Sequence, residues 1–134
     1  MQEHRVLVVD DDELIRRLLV EYFREHSTLA VDWARDGAEA LHFLSSRAYA
    51  CLVLDLMMPH MSGIDLLTSL RALLADPFSK LQRPPAVFVI TGAPAEDVPS
   101  EKLAEMFPGL VRQVFRKPLD VDALTRAVSA AIGG

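Results

Sequence analysis

The sequence predicts a doubly wound α/β fold, a five-stranded parallel sheet with helices on both faces. Three observations carry that reading. Apolar runs of strand length alternate with stretches of helical period from one end of the chain to the other, five times over. The runs are continuous rather than alternating, as in Val6 to Val9, which marks strands buried on both faces. Repeated strand-then-helix units then call for right-handed parallel crossovers covering both sides of the sheet.

The elements follow in order. After Val6 to Val9 comes a helix in which Ile15, Leu19, Tyr22 and Phe23 share one face, while Arg16, Arg17, Glu21, Arg24 and Glu25 are assigned to the remaining surface. Leu29 to Trp33 reads as the second strand. Asp36 with Glu39 makes a capping-box-like start to a second helix that buries Ala40, Leu41 and Leu44. Cys51 to Leu54 is the third strand, and the helix after it gathers Ile64, Leu67, Leu70 and Leu74 on one side.

Ala75 to Pro85, with Pro77, Pro84 and Pro85, is too proline-rich to continue that helix and reads as a roomy connection. Val87 to Ile90 is the fourth strand. Pro94 and Pro99 delay the next helix, which is expected only from about Pro99 or Ser100 to Phe107, with Pro108-Gly109 stopping it. Leu110 to Phe115 is the fifth strand. Asp120 caps a last helix whose apolar stripe is Val121, Leu124, Val128 and Ile132.

Composition narrows the function classes. A chain of 134 residues, 51% hydrophobic and 25% charged, has the length and balance of one globular domain, expected to span 1–134 with no effector domain. A net charge of -5 gives no basic surplus for phosphate backbones, so no direct nucleic-acid contact is expected. No apolar run approaches membrane-spanning length, so a cytoplasmic location without membrane contact is expected. Cys51 lies in an apolar run and reads as a buried thiol; the four histidines lack metal-ligand spacing and read as surface residues.

In doubly wound folds, ligands bind beyond the carboxyl ends of the strands. The first strand ends on Asp10 and Asp11, the third on Asp55, the fourth on Thr91 and the fifth near Lys117. Three carboxylates gathered there repel one another unless a cation neutralises them, and a hard divalent ion such as magnesium suits an oxygen set left partly open. With that cation bound, one carboxylate can attack phosphorus to give an aspartyl phosphate, while Thr91 and Lys117 hold phosphoryl oxygens. Asp12 reads as an N-cap only. Met57, Met58 and Met61 read as packing under the loop, and Trp33 and Phe115 as core or rim.

These residues resemble response-regulator receiver domains of two-component signalling, through Val8-Val9-Asp10-Asp11, Leu54-Asp55-Leu56-Met57-Met58-Pro59 with Gly63, Ile90-Thr91-Gly92 and Lys117-Pro118. The resemblance covers nearly the whole chain. It implies strand order 2-1-3-4-5 and a commonly cis bond before Pro118. It implies Asp55 as phosphoacceptor, with Mg2+ or Mn2+ held by Asp11, Asp55 and the Met57 backbone carbonyl, and by Asp10 mainly through a water. Thr91 and Lys117 would grip the phosphoryl group. The donor would be a sensor histidine kinase or a histidine phosphotransfer protein, the receiver assisting its own phosphorylation and dephosphorylation rather than serving as an enzyme, with an unidentified downstream protein target.

Two features depart from the family pattern. Val114 stands where members carry the aromatic switch partner of Thr91, and prolines interrupt the fourth helix. The missing aromatic lever makes a phosphorelay or sink role, which needs transfer chemistry more than a large shape change, more plausible, and the interrupted helix implies an unusual output face. A degenerate receiver serving as a phosphorylation-independent scaffold is the alternative. A haloacid-dehalogenase-type phosphatase would need a second acid where Met57 stands, and a flavodoxin would not place acids in its first loop.

Overall fold

The computed structural model describes residues 4–58, 61–79, 81, 83–92 and 100–132. Five strands and five helices alternate as β1 (Arg5–Val9), α1 (Glu13–His26), β2 (Ala30–Ala34), α2 (Gly37–Ser46), β3 (Cys51–Asp55), α3 (Gly63–Ala75), β4 (Ala86–Thr91), α4 (Ser100–Met106), β5 (Val111–Arg116) and α5 (Val121–Ala131). All strand pairs are parallel and the sheet order is β2-β1-β3-β4-β5. The predicted fold class and strand order are therefore those observed.

Period-two alternation divides the core between the two faces of the sheet. Leu7, Val9, Leu52, Leu54, Val87 and Val89 point to the side covered by α2, α3 and α4. Val6, Val8, Cys51, Val53, Phe88 and Ile90 point to the side covered by α1 and α5. The central strands β1, β3 and β4 are buried nearly throughout, which is why each reads as an unbroken aliphatic run.

Caps fix where the helices begin. The side chains of Asp12, Asp36 and Asp120 accept from backbone amides in the first turns of α1, α2 and α5, as predicted. At α2 the Glu39 carboxylate accepts from Arg35 N rather than from the cap residue's own amide. Ser62 and Asp65 form a reciprocal capping box on α3. α4 starts at Ser100 and ends at Met106, and Gly109 follows with a left-handed φ of 77°, the conformation that makes glycine the apt stop. Pro59, Pro94 and Pro99 lie outside the described residues.

Three local readings change. Each strand is displaced or extended by one or two residues; in β3, β4 and β5 this is because the polar residues Asp55, Thr91 and Arg116 themselves pair as the last strand positions. Arg16 is not on the outer surface of α1: it is 8% exposed, and its guanidinium donates to the Asp10 carbonyl at 3.0 Å. Met57 is exposed, whereas Met58 is buried and Met61 packs against the core as expected.

Gly63 shows how tightly the loop after β3 is fitted. A Cβ there would lie 2.8 Å from the Leu56 Cα and 3.1 Å from the Asp55 carbonyl oxygen, both backbone atoms that side-chain rotation cannot move away. Gly63→Ala is expected to lower stability by about 1–3 kcal/mol. Urea denaturation would measure the loss.

Candidate functional site

β1 lies between β2 and β3, so the chain runs outward in one direction and then returns to the other side of β1. The switch point falls between the carboxyl ends of β1 and β3, where a doubly wound fold opens a crevice. Val9 pairs with Leu54, which brings Asp10 alongside Asp55 just past the paired register. Carboxylate oxygens of Asp10, Asp11 and Asp55 all lie within 4.8 Å of one another.

Asp10 and Asp55 are almost fully buried and Asp11 is exposed, so the cluster has two walls and an open side. One oxygen of Asp55, Oδ1, accepts from the Met57 amide at 3.0 Å, while Oδ2 faces the Lys117 ammonium at 3.6 Å. Oδ1 of Asp10 accepts from the Asp12 amide at 2.9 Å. Its buried Oδ2 has no hydrogen-bond partner among the described residues. An orphaned carboxylate oxygen facing two other carboxylates is what an oxygen-liganded cation would satisfy.

Thr91 ends β4 fully buried, and its carbonyl accepts from the Lys117 amide at 3.0 Å, tying β5's exit to the site. The Lys117-Pro118 bond is cis, as the resemblance implied. All of Asp10, Asp11, Asp55, Thr91 and Lys117 thus gather at one sheet edge, with Met57 next to Asp55. Val114 lies in β5, paired with Val89 and half-buried against the α2–α4 side of the core.

Burial drives the Asp10 carboxyl up from 3.8 to about 7; the Asp12 amide holds it down in part, and the negative charge of Asp55 adds to the rise. An acid whose folded pKa is raised destabilises the fold as it is forced to ionise, so the metal-free protein is expected to lose stability as pH climbs from about 4 through about 7. Asp10→Asn should remove that slope and stabilise the metal-free protein at pH 8 by on the order of 2–4 kcal/mol. Thermal unfolding across pH in EDTA checks both.

The site was legible at the strand ends; Arg16 was not. Its Cζ lies 4.4 Å from the centre of the Trp33 ring, and its hydrogen bond reaches the backbone of Asp10. A signal existed: Arg16 stands at i with Leu19, Val20 and Phe23 at i+3, i+4 and i+7, inside the buried stripe.

A doubly wound sheet with an acid cluster at its switch point, and a hydroxyl and a lysine at the ends of the neighbouring strands, is the arrangement that the resemblance to receiver domains led one to expect. Comparison with known proteins agrees. The family model for the response regulator receiver domain matches residues 6–129, and the chain belongs to that family, a signalling module of two-component systems.

Among curated proteins, it is 43% identical over 68 residues to the transcriptional regulatory protein SrrA of Staphylococcus aureus, a match covering 51% of this chain and 28% of SrrA. The match thus spans little more than a quarter of that relative. Among solved structures, a Francisella response regulator receiver domain superposes with TM-score 0.77 at 27% identity, covering 96% of each chain. The response regulator TrrA of Thermotoga maritima, solved in complex with Mg(2+)-BeF, superposes with TM-score 0.73 at 26% identity over 96% of this chain and 98% of its own. No helix among the described residues is long and apolar enough to cross a membrane.

Proposed function

We propose that this receiver takes a phosphoryl group onto Asp55 from a phosphohistidine, on a sensor histidine kinase or a histidine phosphotransfer protein, in a reaction that depends on Mg2+ or Mn2+. The observation that carries the reading is the convergence of Asp10, Asp11 and Asp55 within 4.8 Å, with the Lys117 ammonium 3.6 Å from Asp55 Oδ2. That TrrA, a structural relative, was solved in complex with Mg(2+)-BeF supports magnesium as the ion. When bound, the cation neutralises the cluster and the charge spreading over the phosphoryl oxygens.

The rest of the chemistry belongs to the chain. Asp55 supplies the nucleophilic carboxylate: an O–P bond forms as the N–P bond of the phosphohistidine breaks, and the imidazole leaves. Asp11, Asp55 and the Met57 carbonyl would hold the cation, with Asp10 joining mainly through a water. The Lys117 ammonium, already facing Asp55, and the Thr91 hydroxyl would each hold a phosphoryl oxygen. The same site would assist its own hydrolysis.

The signal would be a change in what the domain binds, and Val114 gives that change no aromatic lever, which suits onward transfer. We place the domain in the cytoplasm, as one receiver unit with a protein target, and assign it no direct nucleic-acid contact, since its charge of -5 offers none of the required attraction. A phosphorylation-independent scaffold is the weaker reading, because every acceptor residue is present and gathered.

Acetyl phosphate with magnesium should add one phosphoryl to the intact mass, and EDTA or Asp55→Ala should abolish the gain. A gain that survives Asp55→Ala would contradict the assignment.

A further inference from the structure

Arg16 has no part in the proposed chemistry, yet among the described residues it is the only buried cation. It is 8% exposed, and among the described residues no carboxylate pairs with it. A buried guanidinium without an acid is costly, and an apolar side chain of similar length would fill the same stripe beside Leu19, Val20 and Phe23 without that cost.

What the guanidinium does instead is specific. Its NH1 donates to the Asp10 carbonyl at 3.0 Å, and its Cζ lies over the Trp33 ring, 4.4 Å from the ring centre.

That carbonyl belongs to the peptide unit joining Asp10 to Asp11, so whatever fixes it fixes the relative placement of two carboxylates of the cluster. The other polar atoms of Asp10 are nearly all engaged as well. Its amide donates to the Ala34 carbonyl at 3.3 Å, at the residue after Trp33, and its Oδ1 accepts from the Asp12 amide at 2.9 Å. Only Oδ2 is left, buried and without a partner among the described residues. Two of the ties come from within the sheet and its own loop; Arg16 supplies the third, from the first turn of α1.

We infer that Arg16 is a positioning residue for the cation site: clamped against Trp33, it holds the Asp10-Asp11 peptide so that the carboxylates are set before the cation arrives. The inference rests on the reading of the acid cluster as a Mg2+ site. It has a second consequence. Trp33 is the only tryptophan and is 43% exposed, so its emission reports on the Arg16 contact and changes when the Asp10-Asp11 peptide is loaded through the cation.

The test is magnesium titration of the folded full chain, followed by calorimetry and by Trp33 emission, in the wild type, Arg16→Met, Arg16→Lys, Trp33→Leu and Asp11→Asn. In the wild type, emission should shift with the same midpoint as the heat. Arg16→Met should weaken Mg2+ binding by about tenfold, the usual loss when a group supporting a metal ligand is removed. Arg16→Lys, which keeps a donor for the carbonyl, should recover most of that loss, a rescue that mere packing would not give.

Should Arg16→Met fail to fold, Trp33→Leu decides, with weakened binding expected from loosening the other half of the clamp. Unchanged Mg2+ affinity in a folded Arg16→Met, or in Trp33→Leu where that variant decides, overturns the inference and leaves the cation site standing. If the wild type shows no Mg2+ binding that Asp11→Asn removes, the cation reading itself fails and takes the inference with it.

Discussion

Lys117→Ala is expected to slow phosphorylation by acetyl phosphate about 10²–10³-fold at saturating magnesium, the range found when one preorganised partner of a developing charge is removed. Its effect on stability should be far smaller. The Lys117 ammonium is 3.6 Å from Asp55 Oδ2 with 30% of its side chain exposed, so solvent reaches the cation end of the pair and moderates what its loss costs the resting fold. The two magnitudes separate the roles: a lysine that served only to pair Asp55 would show its loss in unfolding, and a lysine that grips phosphoryl oxygens shows it in rate. Following phosphoryl uptake by intact mass over time, alongside urea unfolding of the same variant, reads both.

The second large effect concerns pH. With the Asp10 carboxyl lifted to about 7, chiefly by burial, a cation entering the cluster must displace its proton. Below that value the apparent Mg2+ affinity should fall as pH falls, by roughly 25-fold between pH 7.5 and pH 5.5 for a single group of that pKa. Above it the affinity should level off. The sign is opposite to the effect on metal-free stability, because ionising Asp10 weakens the empty site and prepares the loaded one. Calorimetric titration across this range, with Asp10→Asn expected to flatten the profile, tests the linkage.

How much of this was legible in the sequence differs by element. Central strands such as β3 were plain, because a strand covered on both faces is written as an unbroken run, Cys51 to Leu54, that admits no helical period. Their ends were read short for a physical reason: Asp55 and Thr91 pair in the ladder although they are polar, at the carboxyl ends of strands, where a doubly wound fold opens its crevice.

The convergence of Asp10, Asp11, Asp55, Thr91 and Lys117 was legible because topology alone brings strand ends together. The burial that lifts Asp10 and orphans its Oδ2 was not, since it depends on packing from several elements. Arg16 was misplaced because charge was taken to mean surface, and a one-dimensional pattern cannot show a carbonyl waiting beneath a helix. Gly63 could be matched as a motif residue, but the reason for it, the Leu56 Cα at 2.8 Å from a would-be Cβ, exists only in three dimensions.

The central claim is that Asp55 receives the phosphoryl group. Borohydride reduction of the phosphorylated protein converts an aspartyl phosphate to homoserine, and peptide mapping then locates it. Homoserine at position 55, formed only when magnesium was present, is the predicted result. Reduction at another acid, or none despite a confirmed gain of one phosphoryl, would contradict the account.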